Sequence, residues 1–163
     1  MFGLKKRMRY GSTRIVFVFD KFVIKVPYYK NWKRFLKGLI SNLNEVMLSS
    51  SYPDSRYLVP VTWSLPGGWL LVMPNVRDCA EPLVTAFMVD LFRCYDPEDQ
   101  EADEVKRYCE YIVDNYGMYK GKPMCRDYGT YMPVAATQQV IDRELDMRDW
   151  VLQERIKDAE ICE

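Results

Sequence analysis

The chain contains no histidine. That excludes His-based catalytic triads, histidine general bases and histidine metal ligands. Its five cysteines, Cys79, Cys94, Cys109, Cys125 and Cys162, are odd in number and widely spaced, and no two form a Cys-x-x-Cys pair. A zinc site or a disulfide framework is therefore not expected, and a reducing, cytoplasmic setting is. No apolar run approaches the ~20 residues needed to span a bilayer. The start, Met1-Phe2-Gly3-Leu4-Lys5-Lys6-Arg7, lacks the apolar stretch of a signal peptide. Lys and Arg total 23 and Asp and Glu total 23, so the chain has no net charge.

What is present is unevenly spread. Residues 1–40 hold eleven Lys/Arg and a single acid, Asp20, whereas residues 90–163 hold eighteen acids and ten bases. The basic first part could face phosphates or an acidic partner, or be an ordinary solvated face. No aromatics interleave with it at stacking positions, so nucleic-acid binding is not inferred. At 163 residues the chain is long enough for one domain, or for two small lobes sharing a hinge.

Arg14 to Asp20 reads as a strand, because Ile15-Val16-Phe17-Val18-Phe19 is β-branched and aromatic throughout. Asp20-Lys21 turns the chain into a return strand, Phe22 to Val26, closed by Pro27. Residues 10–27 thus form a predicted hairpin with Gly11 at its mouth. Trp32 to Ser49 reads as a helix. Phe35, Leu36, Leu39, Ile40, Leu43, Val46 and Met47 form its expected amphipathic stripe, with Glu45 at its edge, on the side shared with Gly38, Ser41 and Leu48, where it can point inward. Leu58–Ser64 and Trp69–Met73 read as two further strands around Leu65-Pro66-Gly67-Gly68.

Beyond a seam at Pro74–Asp78 the pattern becomes helical. Pro82 to Tyr95 is a predicted helix with Leu83, Phe87, Leu91 and Phe92 on one face. Asp96-Pro97-Glu98-Asp99 opens another that runs out near Asn115, with Val105, Tyr108, Cys109 and Ile112 inside. Met118–Cys125 reads as two short strands around Lys120-Gly121-Lys122. A last helix is expected over about 135–161, with Ile141, Leu145, Leu152 and Ile156 inside.

Four polar residues stand out. Lys25 sits within an apolar strand and Glu45 lies twenty residues on. Asn115 and Asp127 flank the predicted hairpin. Each has a plain alternative: a snorkelling lysine, a solvated helix glutamate, a helix C-cap asparagine and a turn aspartate. Their joint order resembles the protein-kinase-like fold cut down to a minimum. Phe22-Val23-Ile24-Lys25 resembles the Val-Ala-Ile-Lys strand, and Glu45 the helix glutamate that pairs with it. Leu71-Val72-Met73-Pro74 resembles the strand entering the hinge, and Asp127-Tyr128-Gly129 resembles Asp-Phe-Gly.

The resemblance covers roughly residues 10–130. It implies an α+β fold with a small antiparallel sheet and one inserted helix over residues 1–76. A reduced helical lobe over residues 77–163 would be hinged to it. It also implies ATP and Mg²⁺ as cofactors. Gly11, Lys25, Glu45 and Met73 would sit around the nucleotide, and Asn115 and Asp127 would be the metal ligands. The catalytic aspartate's place, five residues before Asn115, is taken by Glu110 with neither histidine nor arginine ahead of it. Asp114 is a second candidate base, out of the family's register. The phosphate loop is reduced to Gly11, and no substrate-binding helical lobe follows.

These departures point to a pseudokinase or weakly active minimal kinase that regulates a partner protein. The alternatives are an active ATP-dependent phosphotransferase, or a small α+β protein-binding module acting as a host-factor inhibitor without nucleotide. Such compactness would suit a virus or phage protein in its host's cytoplasm.

Overall fold

A computed structural model describes residues 7–93, 99–110 and 112–131. It is a mixed α+β protein with antiparallel sheets. The expected hairpin is present and one strand longer than expected. β1 (Arg7–Tyr10) pairs with β2 (Arg14–Val18), and β2 with β3 (Phe22–Pro27). Gly11 lies in the turn between β1 and β2, where its N–H donates to the Arg14 carbonyl at 2.8 Å. The second turn closes through Phe19 N–H to the Phe22 carbonyl at 2.9 Å.

Helix α1 (Trp32–Ser51) follows, capped by the Asn31 side chain, which accepts from the Arg34 N–H. β4 (Trp63–Leu65) and β5 (Leu70–Pro74) complete a five-stranded sheet of order β1-β2-β3-β5-β4. Gly67 and Gly68, at φ of 78° and 76°, make the tight turn between β4 and β5 in a conformation that other residues rarely adopt.

Three sequence expectations are corrected here. The strand expected over Leu58–Ser64 joins the sheet only from Trp63. Pro60 has no N–H to give a ladder, and the buried Leu58 and Val59 turn to the other sheet. There the Val59 N–H donates to the Cys125 carbonyl at 2.9 Å, and the Cys125 N–H to the Tyr57 carbonyl at 2.7 Å. In the described residues of the second part, the hairpin expected over Met118–Cys125 is present as β7 (Tyr116–Tyr119) and β8 (Lys122–Cys125), and an unexpected strand, β6 (Arg77–Asp78), joins it in a three-stranded antiparallel sheet. α2 (Glu81–Arg93) buries Val84, Met88 and Leu91, one residue round from the expected face, and leaves Leu83 exposed. α3 (Gln100–Lys106) is only seven residues long, and Ile112 is exposed. The helix expected over about 135–161 lies outside the described residues.

The third correction concerns α1. Its buried side is Gly38, Ser41, Asn42, Glu45, Leu48 and Ser49; of the expected stripe Phe35, Leu39 and Val46 are half-buried, whereas Leu36, Ile40, Leu43 and Met47 are exposed. Close approach explains the inversion. A Cβ on Gly38 would lie 2.5 Å from the Thr13 carbonyl oxygen, and one on Gly68 would lie 2.4 Å from the Leu39 carbonyl oxygen. Only small residues let α1 sit this near the sheet, and ion pairs fill the remaining space. One hydrophobic core runs through both sheets, from Leu48, Leu71 and Met73 to Tyr116, Cys125 and Tyr128.

Candidate functional site

Strand register decides which side chains share the site. In the β2–β3 hairpin Val16 lies opposite Lys25 and Arg14 opposite Pro27. Side chains alternate along a strand, so Arg14, Val16 and Val18 share the sheet face that carries Lys25 and Val23. β5 then sets Met73 opposite Val23 on that same face. Lys25 is 4% exposed, and its ammonium donates to both Glu45 carboxylate oxygens at 2.9 Å and to the Arg126 carbonyl at 2.7 Å. Glu45 is fully buried on α1. Its Oε1 also accepts from Arg14 Nη1 at 2.8 Å and from the Tyr128 N–H at 3.3 Å. A buried carboxylate is tolerated only when its lone pairs are filled in this way.

Arg14 is the residue that sequence reasoning missed. Its guanidinium is buried and spans Asn42 Oδ1 at 3.3 Å, Glu45 Oε1 and, through Nη2, Asp127 Oδ1. Burial alone would lower its pKa, but the Asp127 and Glu45 carboxylates outweigh that and raise it above the ordinary value. Burial likewise pushes the Asp127 carboxyl upward. The Arg14 and Lys25 charges overcome that and hold it lowered, at about 2. The Asp127 side chain keeps 44% of its surface open, so solvent screens this pair more than the Lys25–Glu45 pair. The signal for Arg14 was available. A hairpin turn at Asp20-Lys21 fixes the register, and period two then puts Arg14 on the face of Lys25.

The Asp127-Tyr128-Gly129 stretch is anchored on both sides. Tyr128 is buried and donates its hydroxyl to the Val59 carbonyl at 2.7 Å. Gly129 packs so close to α1 that a Cβ there would lie 2.6 Å from the Ser41 carbonyl oxygen, and Asn44 Nδ2 donates to the Gly129 carbonyl at 2.9 Å. Asn115 is joined to this stretch through its backbone. Its carbonyl accepts from the Arg126 N–H at 2.7 Å and the Asp127 N–H at 3.3 Å. Its side-chain amide donates to Glu110 Oε2 at 3.4 Å.

These residues border a cavity of about 720 Å³, within the range of small-molecule sites. Val16, Val18, Val23, Val59, Met73 and Val76 give it an apolar wall. Gly11, Lys25, Asp114 and Asp127 line it, whereas Glu45 stands behind Lys25, and Glu110 and Asn115 are not among its lining residues. Arg7, Arg9, Arg77 and Arg126 also border it, with Asp78. Arg126 pairs with Asp78 at 2.8 Å and lowers that carboxyl's pKa. The lining holds five cationic side chains and three carboxylates, an excess of two positive charges (5 − 3), so an anion is the ligand it favours.

Of the two expected metal ligands only Asp127 lines the cavity. Arg14 already supplies a positive charge to one Asp127 carboxylate oxygen, and Asn115, whose amide N–H donates to Glu110, is not among the lining residues. Among the described residues no three acidic or thiol side chains come together as a cage. Cys79, Cys109 and Cys125 are free thiols, and burial raises the Cys109 pKa well above its ordinary value. No helix among the described residues is long and apolar enough to cross a membrane. No protein-family model, curated protein or solved structure matches the chain.

Proposed function

We propose that the chain is a kinase-like scaffold whose cleft holds a nucleotide, and that it acts by regulating a partner protein rather than by rapid phosphoryl transfer. The observation that carries the nucleotide half is the buried Lys25–Glu45 pair at 2.9 Å, set behind a cavity with an apolar wall and a cationic border. The valines and Met73 offer a flat base its apolar surface. Lys25, fixed by Glu45, offers a phosphate a preorganised point charge. Glu110, which stands in the family's catalytic register, is held by Asn115 outside the cavity, and Asp114, which lines it, is out of that register. That arrangement favours holding a nucleotide over using it, because proton transfer needs the base within hydrogen-bond reach of the reacting group.

Thermal melting with ATP as the probe tests this reading. A ligand at 100 times its Kd adds about 2.7 kcal/mol of stability, enough to raise the melting temperature by several degrees. An unchanged melting temperature at millimolar ATP overturns it.

The partner half rests on the outer side of α1. Leu36, Ile40, Leu43 and Met47 form an exposed apolar row, with exposed Trp32 and Trp69 nearby. Exposed Lys33 and Lys37 flank the row at its N-terminal end. An apolar row with a basic end fits a protein surface of apolar centre and acidic margin. Ile40→Asp should abolish binding to such a partner. If removal of residues 132–163 instead exposes a row that had been covered in solution, its occupant is the chain's own C-terminal segment, and the partner half fails.

A further inference from the structure

We propose that the Arg14 guanidinium takes the place a divalent cation would hold beside Asp127, so that the cleft binds a nucleoside polyphosphate without a metal. This inference rests on the nucleotide reading above and adds to it a prediction about metal dependence.

A polyphosphate brings several negative charges towards a site that already contains Asp127. A metal commonly relieves that repulsion by bridging carboxylate and phosphate oxygens. Here the relief is built into the chain. Arg14 is buried, and its planar fork reaches Glu45 Oε1, Asn42 Oδ1 and Asp127 Oδ1 together. A guanidinium keeps its charge at all working pH values and binds two carboxylates with fixed geometry, which an ammonium does not do. Its position is enforced by the β2–β3 register and by Asn42, whose amide also donates to the Gly68 carbonyl at 2.8 Å. With Asp127 neutralised from behind and Asp78 paired with Arg126, the remaining cationic side chains at the cavity outnumber the one other lining carboxylate, Asp114. Arg7, Arg9 and Arg77 can neutralise the distal phosphates while Lys25 holds the inner ones. Arg14 is thus a positioning residue: it acts on the ligand through Asp127.

Calorimetric titration of the full chain with ATP, once in EDTA and once in excess MgCl₂, tests this directly. The two dissociation constants should agree within about threefold, since less than about 0.7 kcal/mol then depends on the metal. Tightening by about tenfold or more in MgCl₂ overturns the proposal. Arg14→Met should weaken ATP in EDTA and regain affinity in MgCl₂. Arg14→Gln, which removes the charge and keeps hydrogen bonding, serves the same purpose if the methionine variant does not fold.

A second measurement needs no nucleotide. In Mn²⁺ titrations followed by electron paramagnetic resonance, the wild-type chain should leave the free-ion signal unchanged. Stoichiometric Mn²⁺ binding that Asp127→Asn abolishes overturns the role of Arg14. Absence of ATP binding in both media overturns the nucleotide reading and the ligand proposed here. A wild-type chain that ignores Mn²⁺ would in that case show that the failure lies with the ligand and not with the placement of Arg14.

Discussion

The two sides of helix α1 invert the usual arrangement. Its inner side carries Gly38, Ser41, Asn42 and Glu45 against the sheet, with Leu48 its one fully buried large apolar side chain, and its outer side carries Leu36, Ile40, Leu43 and Met47 in the open. An ordinary surface helix buries its apolar stripe, because each large side chain removed from water contributes about 1.5–3 kcal/mol. Here an interior position goes to a carboxylate that must be matched by Lys25, Arg14 and a backbone N–H. Buried ion networks are poor sources of stability compared with apolar packing. A chain that spends a helix's inner side on one is specifying a charged site, and the apolar row it leaves outside is available for contact.

Breaking the inner side should have the largest effect. Glu45→Ala removes the shared acceptor and leaves two buried cations facing each other. A loss of about 3–5 kcal/mol is expected, read as a lowered urea midpoint. Next is the close approach that makes the inner side possible. Gly38→Ala places a methyl 2.5 Å from the Thr13 carbonyl oxygen, where backbone must shift to admit it. It should cost about 1–3 kcal/mol in the same assay.

The open end of the network should respond to acid. Asp127 has a folded pKa lowered to about 2 from an ordinary 3.8. Its contribution is therefore fully present above the unfolded value and is lost as pH falls from about 4 through about 2. Asp127→Asn should flatten that part of the stability–pH curve, measured by melting temperature across the acid range. The smallest effect belongs to the outer side. Ile40→Asn should alter stability by no more than about 0.5 kcal/mol, as surface substitutions do. A loss above 2 kcal/mol would mean that Ile40 is packed in solution.

The sequence made the hairpin, the β-turn at Gly67-Gly68 and the extent of α1 legible, because local chemistry decides them. Ile15–Phe19 admits little but a strand, and paired glycines mark the turn. Lys25 with Glu45 was readable from an interrupted apolar run and its helical sequel. The side of α1 that faces inward was not, because the hydrophobic period pointed the other way and only the Gly38 and Gly68 contacts override it. Arg14 was legible in part: the hairpin register places it on the face of Lys25, but its role arises from Asp127, 113 residues away, which no local pattern shows. The β7–β8 hairpin was legible from its Lys-Gly-Lys turn, whereas β6 and the Leu58–Val59 link to Cys125 were fixed by long-range pairing that no local pattern encodes.

Methyl-resolved NMR titration with ATP compares the two sides in one experiment. The account predicts saturable shifts at the methyls of Val16, Val23 and Met73, which border the cavity beside Lys25, and unchanged resonances for Leu36, Ile40 and Met47. Shifts confined to the outer row, or absent from the valines and Met73 at millimolar ATP, would contradict it.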